Sequence, residues 1–279
     1  AESLINDFSL KNNVYNLSRR NVDNIKNVYL NLQDSATFEN LKEIKENKID
    51  YLIYFTSYVP FAELNSKWSD CKNDNVYALI EILDKLNFKI KKIILASSMS
   101  VYGNDIDKCN NEKRRLNPET GYAMTKYAQE NIFNIYSRVN NIKFLCLRFG
   151  YIYSKNINSK RFIKKIIKKI SKNNDLKIIN GNKINLNLIH TKDISIIIQK
   201  IMKDKQGFYN LSSNQFISIN SFINKVLNYF PNYKGKITYV DEVKKIKDNI
   251  ISNDKINAIK SINSIQRLDD TIIEIINEL

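Results

Sequence analysis

A tyrosine and a lysine lie four residues apart near the middle of the chain, in Tyr122-Ala-Met-Thr-Lys126. Residues at this spacing share one face of a helix. An ammonium group close to a phenol stabilises the phenolate, which brings proton loss from the phenol toward neutral pH. Such a tyrosine can give a proton to the oxygen of a ketone or take one from an alcohol. Tyr122 and Lys126 are therefore a candidate acid/base pair.

Serines follow an apolar run upstream of this pair, in Ile93-Ile-Leu-Ala-Ser-Ser-Met-Ser-Val-Tyr-Gly103. The apolar run predicts a buried strand, and Ser98 stands at its carboxyl end. In an open parallel sheet, ligands bind outside the carboxyl ends of the strands. We therefore expect Ser98 to hydrogen-bond the same substrate oxygen as Tyr122.

The spacing of the pair is weak evidence by itself. Tyr15 and Arg19, and Tyr151 and Lys155, have the same separation. The plain alternative for Tyr122 is a buried tyrosine next to a solvated lysine. The context favours chemistry, since Tyr122 follows a loop with proline and glycine and comes after the strand-end serine.

The predicted elements that would position these residues alternate along the chain. Predicted strands cover residues 14–18, 28–32, 50–57, 92–97 and 142–148, and predicted helices cover residues 35–47, 75–86 and 122–139. Strands alternating with helices predict βαβ units and a doubly wound parallel α/β sheet. After Arg148 come shorter strands (176–179, 185–189, 208–211) and helices (160–172, 193–202, 221–230, 270–279), which predict a second, smaller α/β portion.

Composition excludes several classes of protein. The chain has 279 residues and a net charge of +15, from 44 Lys+Arg and 29 Asp+Glu. Its lysines are scattered, so we expect no nucleic-acid partner; a basic surface also suits anionic small molecules such as dinucleotides and sugar nucleotides. The helix at 160–172 has lysines opposite an apolar stripe, which fits an anionic membrane or, as we expect, a surface helix whose stripe enters the core.

The numbers of cysteines and histidines limit which site chemistry and which cellular compartment we expect. One histidine, His190, and three cysteines without CxxC spacing predict neither a metal site nor a disulfide framework. No apolar run approaches the ~18 residues that span a bilayer, and no signal peptide is recognisable. We expect a cytoplasmic protein without membrane attachment.

Four segments resemble motifs of the extended short-chain dehydrogenase/reductase family, in its NAD-dependent epimerase/dehydratase group, which acts mainly on nucleotide sugars. Residues 97–103 resemble the serine strand and residues 122–130 the catalytic helix. Residues 147–153 resemble the segment lining the nicotinamide, and residues 188–194 the start of a later helix. The resemblance implies a Rossmann-like NAD(P)-binding domain at 1–154. It implies a mainly substrate-binding portion at 155–279, from which about 185–215 returns to the first domain.

The resemblance also implies roles for individual residues. Tyr122 would be the acid/base, Lys126 its partner on the nicotinamide ribose, and Ser98 the hydroxyl that positions the oxygen. The expected cofactor contacts are Ser18, Arg19, Arg20, Asn31, Leu32, Thr56, Ser57, Asn75, Ala96, Tyr122, Lys126, Phe149, Gly150 and Tyr151. The expected substrate contacts are Ser98, Ser100, Tyr122 and His190. The family also implies a homodimer, formed through the helix at 122–139.

The chain departs from the family pattern in three places. The first strand and its glycine-rich loop are missing, and we expect roughly 15 residues to be absent upstream. Leu186 stands where an arginine usually contacts the nucleotide phosphates, and Ser154-Lys155 stands where Gly-Pro is usual. These departures keep a second alternative open, a non-catalytic or truncated dinucleotide-binding relative.

The predicted strand at 14–18 corresponds to the second strand of the family fold, and the residues at its end bear on the choice between NAD and NADP. They are Ser18-Arg19-Arg20, where a carboxylate would bind the ribose 2′-hydroxyl of NAD. Arginines instead suit a 2′-phosphate through charge-assisted hydrogen bonds. We expect NADP, with NAD as the alternative.

The residues after Ser98 bear on the reaction. In related 4,6-dehydratases an acidic residue follows the hydroxyl residue, whereas this chain has Met99 and Ser100 there. In related 3,5-epimerases a cysteine stands two positions after the serine, where this chain has Ser100. The expected reaction is the reduction of a 4-keto nucleotide sugar by hydride transfer. The alternative is a C4 epimerase similar to UDP-glucose 4-epimerase.

Overall fold

A computed structural model describes residues 2–10, 12–59, 68–103, 109–181, 184–240, 250–260 and 267–279. The chain divides into two compact units. Unit 1 contains Ala1–Val101, Pro118–Arg148 and Ile194–Tyr209, and unit 2 contains Tyr102–Asn117, Phe149–Asp193 and Asn210–Leu279. The functional division at residue 154 stays a prediction.

The described residues form α-helices, β-strands and three helical segments of other types. The α-helices are α1 Glu2–Ser9, α2 Trp68–Lys72, α3 Ala78–Lys85, α4 Gly121–Val139, α5 Phe162–Ser171, α6 Thr191–Ile201, α7 Ile219–Leu227, α8 Asp254–Asn257 and α9 Leu268–Ile276. The strands are β1 Tyr15–Ser18, β2 Lys26–Tyr29, β3 Lys48–Tyr54, β4 Lys89–Ser98, β5 Lys143–Phe149, β6 Tyr151–Tyr153, β7 Leu176–Ile179, β8 Asn185–Leu186, β9 Leu188–His190, β10 Gly207–Leu211, β11 Ile217–Ser218 and β12 Ile237–Val240. Short 3-10 helices cover Ser35–Glu43 and Met99–Tyr102, and a π-helical turn covers Asn73–Tyr77.

The main sheet has the strand order β10-β5-β4-β3. Strands β3 and β4 pair in parallel, with Lys48 opposite Lys89 and Tyr54 opposite Leu95. Strand β4 is buried along most of its length, which is typical of a parallel strand covered on both faces. The predicted α/β fold with a parallel sheet is confirmed. Strands β1 and β2 form a separate parallel pair.

Helix α4 packs on this sheet and carries the predicted acid/base pair. Thr120 caps its first turn, accepting a hydrogen bond from the Ala123 N–H at 3.1 Å. Phe133 packs in one apolar cluster with Ile93 and Leu95 of β4. After the helix, Asn141 adopts a left-handed backbone with φ of 54°, a conformation that asparagine tolerates where glycine is usual. The cap and the core contacts therefore fix where α4 begins and how it faces the sheet.

Lys92 is a charged residue inside the same sheet. It is 1% exposed, and its Nζ donates to the carbonyl of Lys205 at 2.5 Å. Burial and the nearby Lys143 lower the pKa of Lys92 to about 8.

Unit 2 has its own core beneath short strands. Strands β6 and β9 are parallel, as are β7 and β12, whereas β8 and β11 are antiparallel. The isoleucines of α5 are buried with Phe222 of α7 and Ile272 of α9. The prediction that the stripe of this basic helix enters the core is therefore confirmed.

The helix predicted at 35–47 is wrong in type, because the chain forms a 3-10 helix over Ser35–Glu43 and becomes extended at Ile44. The buried residues Phe38, Leu41 and Ile44 recur at a constant spacing of three. That period matches three residues per turn better than 3.6. The Asp34 carboxylate supports the first turn by accepting from the Ala36 N–H at 3.2 Å.

Within the described residues, no helix is long and apolar enough to cross a membrane. The same residues contain no cluster of His, Cys, Asp and Glu suited to a metal ion. All three cysteines are free thiols.

Candidate active site

Asn75 fixes the loop that follows β3. Its side chain is fully buried in the π-helical turn. Its Oδ1 accepts from the Tyr58 N–H at 2.6 Å, and its Nδ2 donates to the Tyr58 carbonyl at 3.1 Å and to Thr125 Oγ1 at 3.0 Å. The loop with Thr56 and Ser57 is thereby held beside α4, at the carboxyl end of the sheet.

Lys126 reaches from α4 to the carboxyl end of β4. The residue is 3% exposed, and its Nζ donates to the Ala96 carbonyl at 2.7 Å and to Gln129 Oε1 at 3.1 Å. Burial lowers the pKa of Lys126 to about 8, against the opposing effects of Cys146 and Glu130. Because an ammonium group has three N–H donors, one donor remains for a ligand.

Tyr122 lies one helical turn before Lys126, and its side chain is largely buried. Thr125 Oγ1 donates to the Tyr122 carbonyl at 2.9 Å, which keeps this first turn in place. The preceding residue, Gly121, lies beneath Trp68, since a Cβ added there would stand 3.5 Å from indole Cδ2. These contacts hold the first turn of α4, and with it Tyr122, in place.

Ser98 ends β4 and is held by Ser100. Ser98 Oγ accepts from the Ser100 N–H at 3.2 Å and from Ser100 Oγ at 3.0 Å. These two bonds occupy the acceptor capacity of the Ser98 hydroxyl. Its own hydrogen is left to donate to a further acceptor, and the contact of Ser98 and Ser100 with a substrate stays a prediction.

A buried ion pair supports α4 behind the acid/base pair. Arg148 Nε and Nη2 lie 3.0 and 2.8 Å from the two carboxylate oxygens of Glu130, and Ser97 Oγ donates to the same carboxylate at 2.6 Å. The three residues connect α4, β5 and β4. Sequence reasoning assigned no role to this pair, although Glu130 continues the i, i+4 series of Tyr122 and Lys126.

The turn after β1 presents the two predicted phosphate-binding arginines. Ser18 Oγ donates to the Arg20 carbonyl at 2.6 Å and accepts the Arg20 N–H at 3.1 Å. Arg19 and Arg20 are exposed. Neither guanidinium forms an ion pair in the part of the chain that the structure describes. Both are therefore available to an anion, whereas the hydroxyl of Ser18 shapes the turn.

Asn31 and Leu32 follow β2 and are half-buried. The Asn31 N–H donates to Thr37 Oγ1 at 3.0 Å, and Leu32 packs against the cluster of Phe38 and Leu41. Both residues thus have structural contacts, and their contact with a cofactor stays a prediction.

The remaining predicted cofactor contacts, Phe149, Gly150 and Tyr151, lie in unit 2. A Cβ at Gly150 would stand 2.4 Å from the Asn187 carbonyl and 2.8 Å from Ser212 Cβ, so backbone packing already requires glycine. Phe149 is buried and Tyr151 is 45% exposed. A role toward the nicotinamide stays a prediction for all three.

His190 also lies in unit 2. Its ring is 5% exposed and packs edge-on against Tyr153, with centroids 5.0 Å apart. Nδ1 accepts from the Lys192 N–H at 3.2 Å, and burial lowers the pKa of His190, which is therefore neutral at pH 7. The contact of His190 with a substrate stays a prediction. Leu186, at the usual position of a phosphate-binding arginine, belongs to the apolar core of unit 2.

Within unit 1, the predicted residues Ala96, Lys126, Asn75 and Ser57 form one connected network. The residue that joins them is Gln129, which sequence reasoning missed. The available signal was a polar side chain three residues after Lys126, on the buried side of a helix. The third N–H of Lys126 is a donor available to a ribose or phosphate oxygen, and the two exposed arginines after β1 are separate donors.

Comparison with known proteins gives one family. A family model described as the NAD dependent epimerase/dehydratase family matches residues 7–212. The chain is 25% identical over 212 residues to dTDP-D-glucose 4,6-dehydratase of Dictyostelium discoideum, covering 71% of this chain and 48% of that protein. It is 28% identical over 146 residues to UDP-glucose 4-epimerase of Lactobacillus helveticus, covering 52% and 44%. The chain spans about half the length of these two relatives.

Solved structures share the fold at low sequence identity. Thermus thermophilus UDP-glucose 4-epimerase in complex with NAD has a TM-score of 0.87 at 13% identity, covering 100% of this chain and 96% of that one. UDP-N-acetylglucosamine 4-epimerase of Methanobrevibacter ruminantium, in complex with UDP-N-acetylmuramic acid, has a TM-score of 0.83 at 18% identity, covering 100% and 95%. The family model matches most of the chain, and this chain belongs to the NAD-dependent epimerase/dehydratase family.

Proposed function

We propose that the chain transfers hydride at a sugar carbonyl carbon of a nucleotide-linked sugar, and that its net reaction is the NADPH-dependent reduction of a 4-keto sugar. The observation that carries the proposal is the set of Ser98, Tyr122 and Lys126, with Lys126 bound to the end of β4 at Ala96. Family membership supports a nicotinamide cofactor and a nucleotide-sugar substrate.

The side chains divide the work at the carbonyl. When bound, the reduced nicotinamide supplies the hydride. Tyr122 gives its phenolic proton to the carbonyl oxygen, and the Lys126 ammonium stabilises the phenolate that remains. Ser98 donates a hydrogen bond to the same oxygen, because its acceptor capacity is taken by Ser100. The alcohol leaves, and the Tyr122 phenolate regains a proton from water.

Two exposed arginines support NADPH. Arg19 and Arg20 follow β1, and Asn16 and Ser18 hold the backbone of the turn through the Arg20 carbonyl. A 2′-phosphate there would form charge-assisted hydrogen bonds with guanidinium groups free of other partners in the described residues. A net reductase needs fresh reductant at each turnover, which suits an exchangeable NADPH.

The residues after Ser98 argue against elimination. Met99 is buried and apolar, and the hydroxyl of Ser100 donates its hydrogen bond to Ser98. Neither can act as the additional acid or base that loss of water from a sugar requires. Hydride transfer at a single carbon therefore fits the side chains better than dehydration.

A C4 epimerase is the second candidate. The support is that two curated relatives, one of them under a provisional name, and several solved structures of this fold carry 4-epimerase names. In that reaction Tyr122 would take a proton from the alcohol at C4. It would return the proton after the ketone intermediate has rotated to present its opposite face to the cofactor. Such an enzyme keeps its cofactor through the cycle, so the two candidates differ in bound nucleotide.

The test begins with nucleotide extracted from the purified protein. Fluorescence titrations with NADPH and NADH follow, using energy transfer from Trp68, the one tryptophan of the chain. Consumption of NADPH equal to the alcohol formed from a UDP- or dTDP-linked 4-keto sugar supports the reductase. Co-purified NAD with conversion of UDP-glucose to its C4 epimer supports the epimerase. Absence of turnover overturns both candidates, and nucleotide binding without turnover favours the non-catalytic dinucleotide-binding relative.

We also propose a homodimer formed through α3 and α4. Tyr77 and Ile80, at α3, and Met124, Ile135 and Val139 of α4 are exposed apolar residues. A second copy of the chain would cover them. Light scattering should give twice the chain mass of 32.7 kDa, and Ile135→Glu should yield monomers. The cytoplasmic location stays a prediction.

A further inference from the structure

Gln129 lies on the buried side of α4 between the π-helical turn and Lys126. It is fully buried. Its Nε2 donates to the Asn75 carbonyl at 2.8 Å, and its Oε1 accepts from Lys126 Nζ at 3.1 Å and from Ser57 Oγ at 3.4 Å. One amide group therefore connects three parts of the site.

The orientation of this amide is determined by its partners. A backbone carbonyl only accepts hydrogen bonds, so the group facing Asn75 must be the NH₂. The oxygen of Gln129 is then necessarily directed at Lys126 and Ser57. A flipped amide would place two carbonyl oxygens together and the NH₂ against an ammonium group.

We infer that Gln129 is a positioning residue for Lys126: its amide oxygen holds the ammonium group charged and aimed, so that the third N–H faces the ligand. This inference rests on the proposed function, in which a charged Lys126 stabilises the Tyr122 phenolate. With Ala96, Gln129 fixes two of the three Nζ donors. Fixing two donors restricts a long side chain that otherwise has many rotamers.

Other charged groups around Lys126 cannot replace this oxygen. Glu130, on the same helix, is engaged by Arg148 of β5. Cys146 of β5 faces Lys126, but burial raises the pKa of its thiol well above the ordinary value, so it is neutral. In the proposed reaction Tyr122 keeps its proton until hydride transfer, so before that step its oxygen is not a fixed negative charge. Gln129 is thus the side chain that supplies a fixed negative dipole to the resting ammonium.

The test measures Lys126 directly in the cofactor-free full chain. Protein labelled with ¹³C-lysine is titrated by NMR, and the Lys126 Cε resonance is assigned by its loss in Lys126→Met. The wild-type midpoint is expected near pH 8. Gln129→Leu removes the acceptor and should lower the midpoint by about one pH unit, because a hydrogen bond to a charged group is lost.

Gln129→Glu places a carboxylate at the same position and should raise the midpoint by about one pH unit. This opposite shift keeps the test decisive if the leucine variant fails to fold. Thr125→Val is the matched control. Thr125 lies on the same helix as Gln129, and its loss removes a buried hydrogen bond from Asn75 but none to Lys126. Its midpoint should equal that of the wild type.

Activity profiles separate this inference from the proposed function. In an active enzyme, the loss of kcat at high pH should move with the NMR midpoint, downward in Gln129→Leu and upward in Gln129→Glu. Identical midpoints in folded wild type, Gln129→Leu and Gln129→Glu would overturn the inference. If the two variants shift the midpoint of Lys126 but the wild type shows no turnover, the inference about Gln129 holds. Only the proposed reaction is then overturned.

Discussion

The guanidinium of Arg148 engages both carboxylate oxygens of Glu130, at 3.0 and 2.8 Å, and both side chains are almost fully buried. This pair ties the helix of Tyr122 to a central strand. Removal of one partner leaves a buried charge unpaired, which is far more costly than loss of a surface ion pair.

We expect Glu130→Gln to lower the free energy of unfolding by about 3–5 kcal/mol. Urea denaturation measures this change. The control is Asp50→Asn, which breaks the exposed pair with Lys91 at 3.8 Å and should cost about 0–1 kcal/mol. Arg148→Met combined with Glu130→Gln should recover part of the loss. Equal costs for Glu130→Gln and Asp50→Asn would contradict the role of the buried pair.

Tyr122→Phe removes the proposed acid/base and keeps the ring. Turnover should fall by about 10²–10⁴-fold, since general acid–base catalysis contributes that much. The dissociation constant for NADPH should stay unchanged. Tyr127→Phe, at a half-buried position on the same helix, is the matched control and should keep full activity. Retained turnover in Tyr122→Phe would remove the tyrosine from the mechanism.

Ser98→Ala and Ser100→Ala should differ in severity. The first removes the donor to the substrate oxygen and should reduce kcat by about 10²–10³-fold. The second removes only one of two bonds to Ser98 Oγ, because the Ser100 N–H still donates at 3.2 Å, and should cost about tenfold or less. Steady-state kinetics on both variants test the order. The smaller loss is expected if Ser100 acts through Ser98; a larger loss in Ser100→Ala would instead support the direct substrate contact that the family resemblance implies for Ser100.

Arg19→Ala and Arg20→Ala should each weaken NADPH binding by about 10- to 150-fold and leave NADH binding unchanged. The reason is that a charge-assisted hydrogen bond to a 2′-phosphate contributes about 1.5–3 kcal/mol. Arg138→Ala removes an exposed arginine from the end of α4 and serves as the control. Equal effects on both nucleotides would show that the arginines do not select the phosphate.

Lys92 should make stability depend on pH in a defined direction. Its folded-state pKa of about 8 lies below the 10.5 of an exposed lysine. Between these values the unfolded chain binds more protons, so raising the pH favours the folded state. From pH 8 to 9.5 the wild type should gain about 1.5 kcal/mol relative to Lys92→Met.

Urea denaturation at several pH values measures the difference for Lys92. Lys126 has the same sign of effect but is present in both proteins and cancels. Lys91→Met, at the exposed neighbouring position, should leave the pH slope of the wild type unchanged. A constant gap between wild type and Lys92→Met would show that Lys92 stays charged in the folded protein.

Local sequence determined the elements and the main reacting groups. The apolar run before Ser98 predicts β4, because a short apolar run is typical of a buried strand, and the capped segment after Thr120 predicts α4. The spacing of Tyr122 and Lys126 places them on one helix face whatever the helix packs against. Motif resemblance was sufficient for the family, which the family model confirms.

The tertiary structure decided the partners of these groups. Contacts of Gln129 with Asn75 and Ser57 join residues far apart in the chain, and no local pattern encodes which buried amide meets which carbonyl. The same holds for Arg148 with Glu130, and for Gly150, whose requirement comes from Asn187 and Ser212. The period of three in Phe38, Leu41 and Ile44 is visible in the sequence and matches the 3-10 helix of the structure better than the predicted α-helix. Burial, which sets the pKa of Lys126, exists only once the sheet and α4 have packed together.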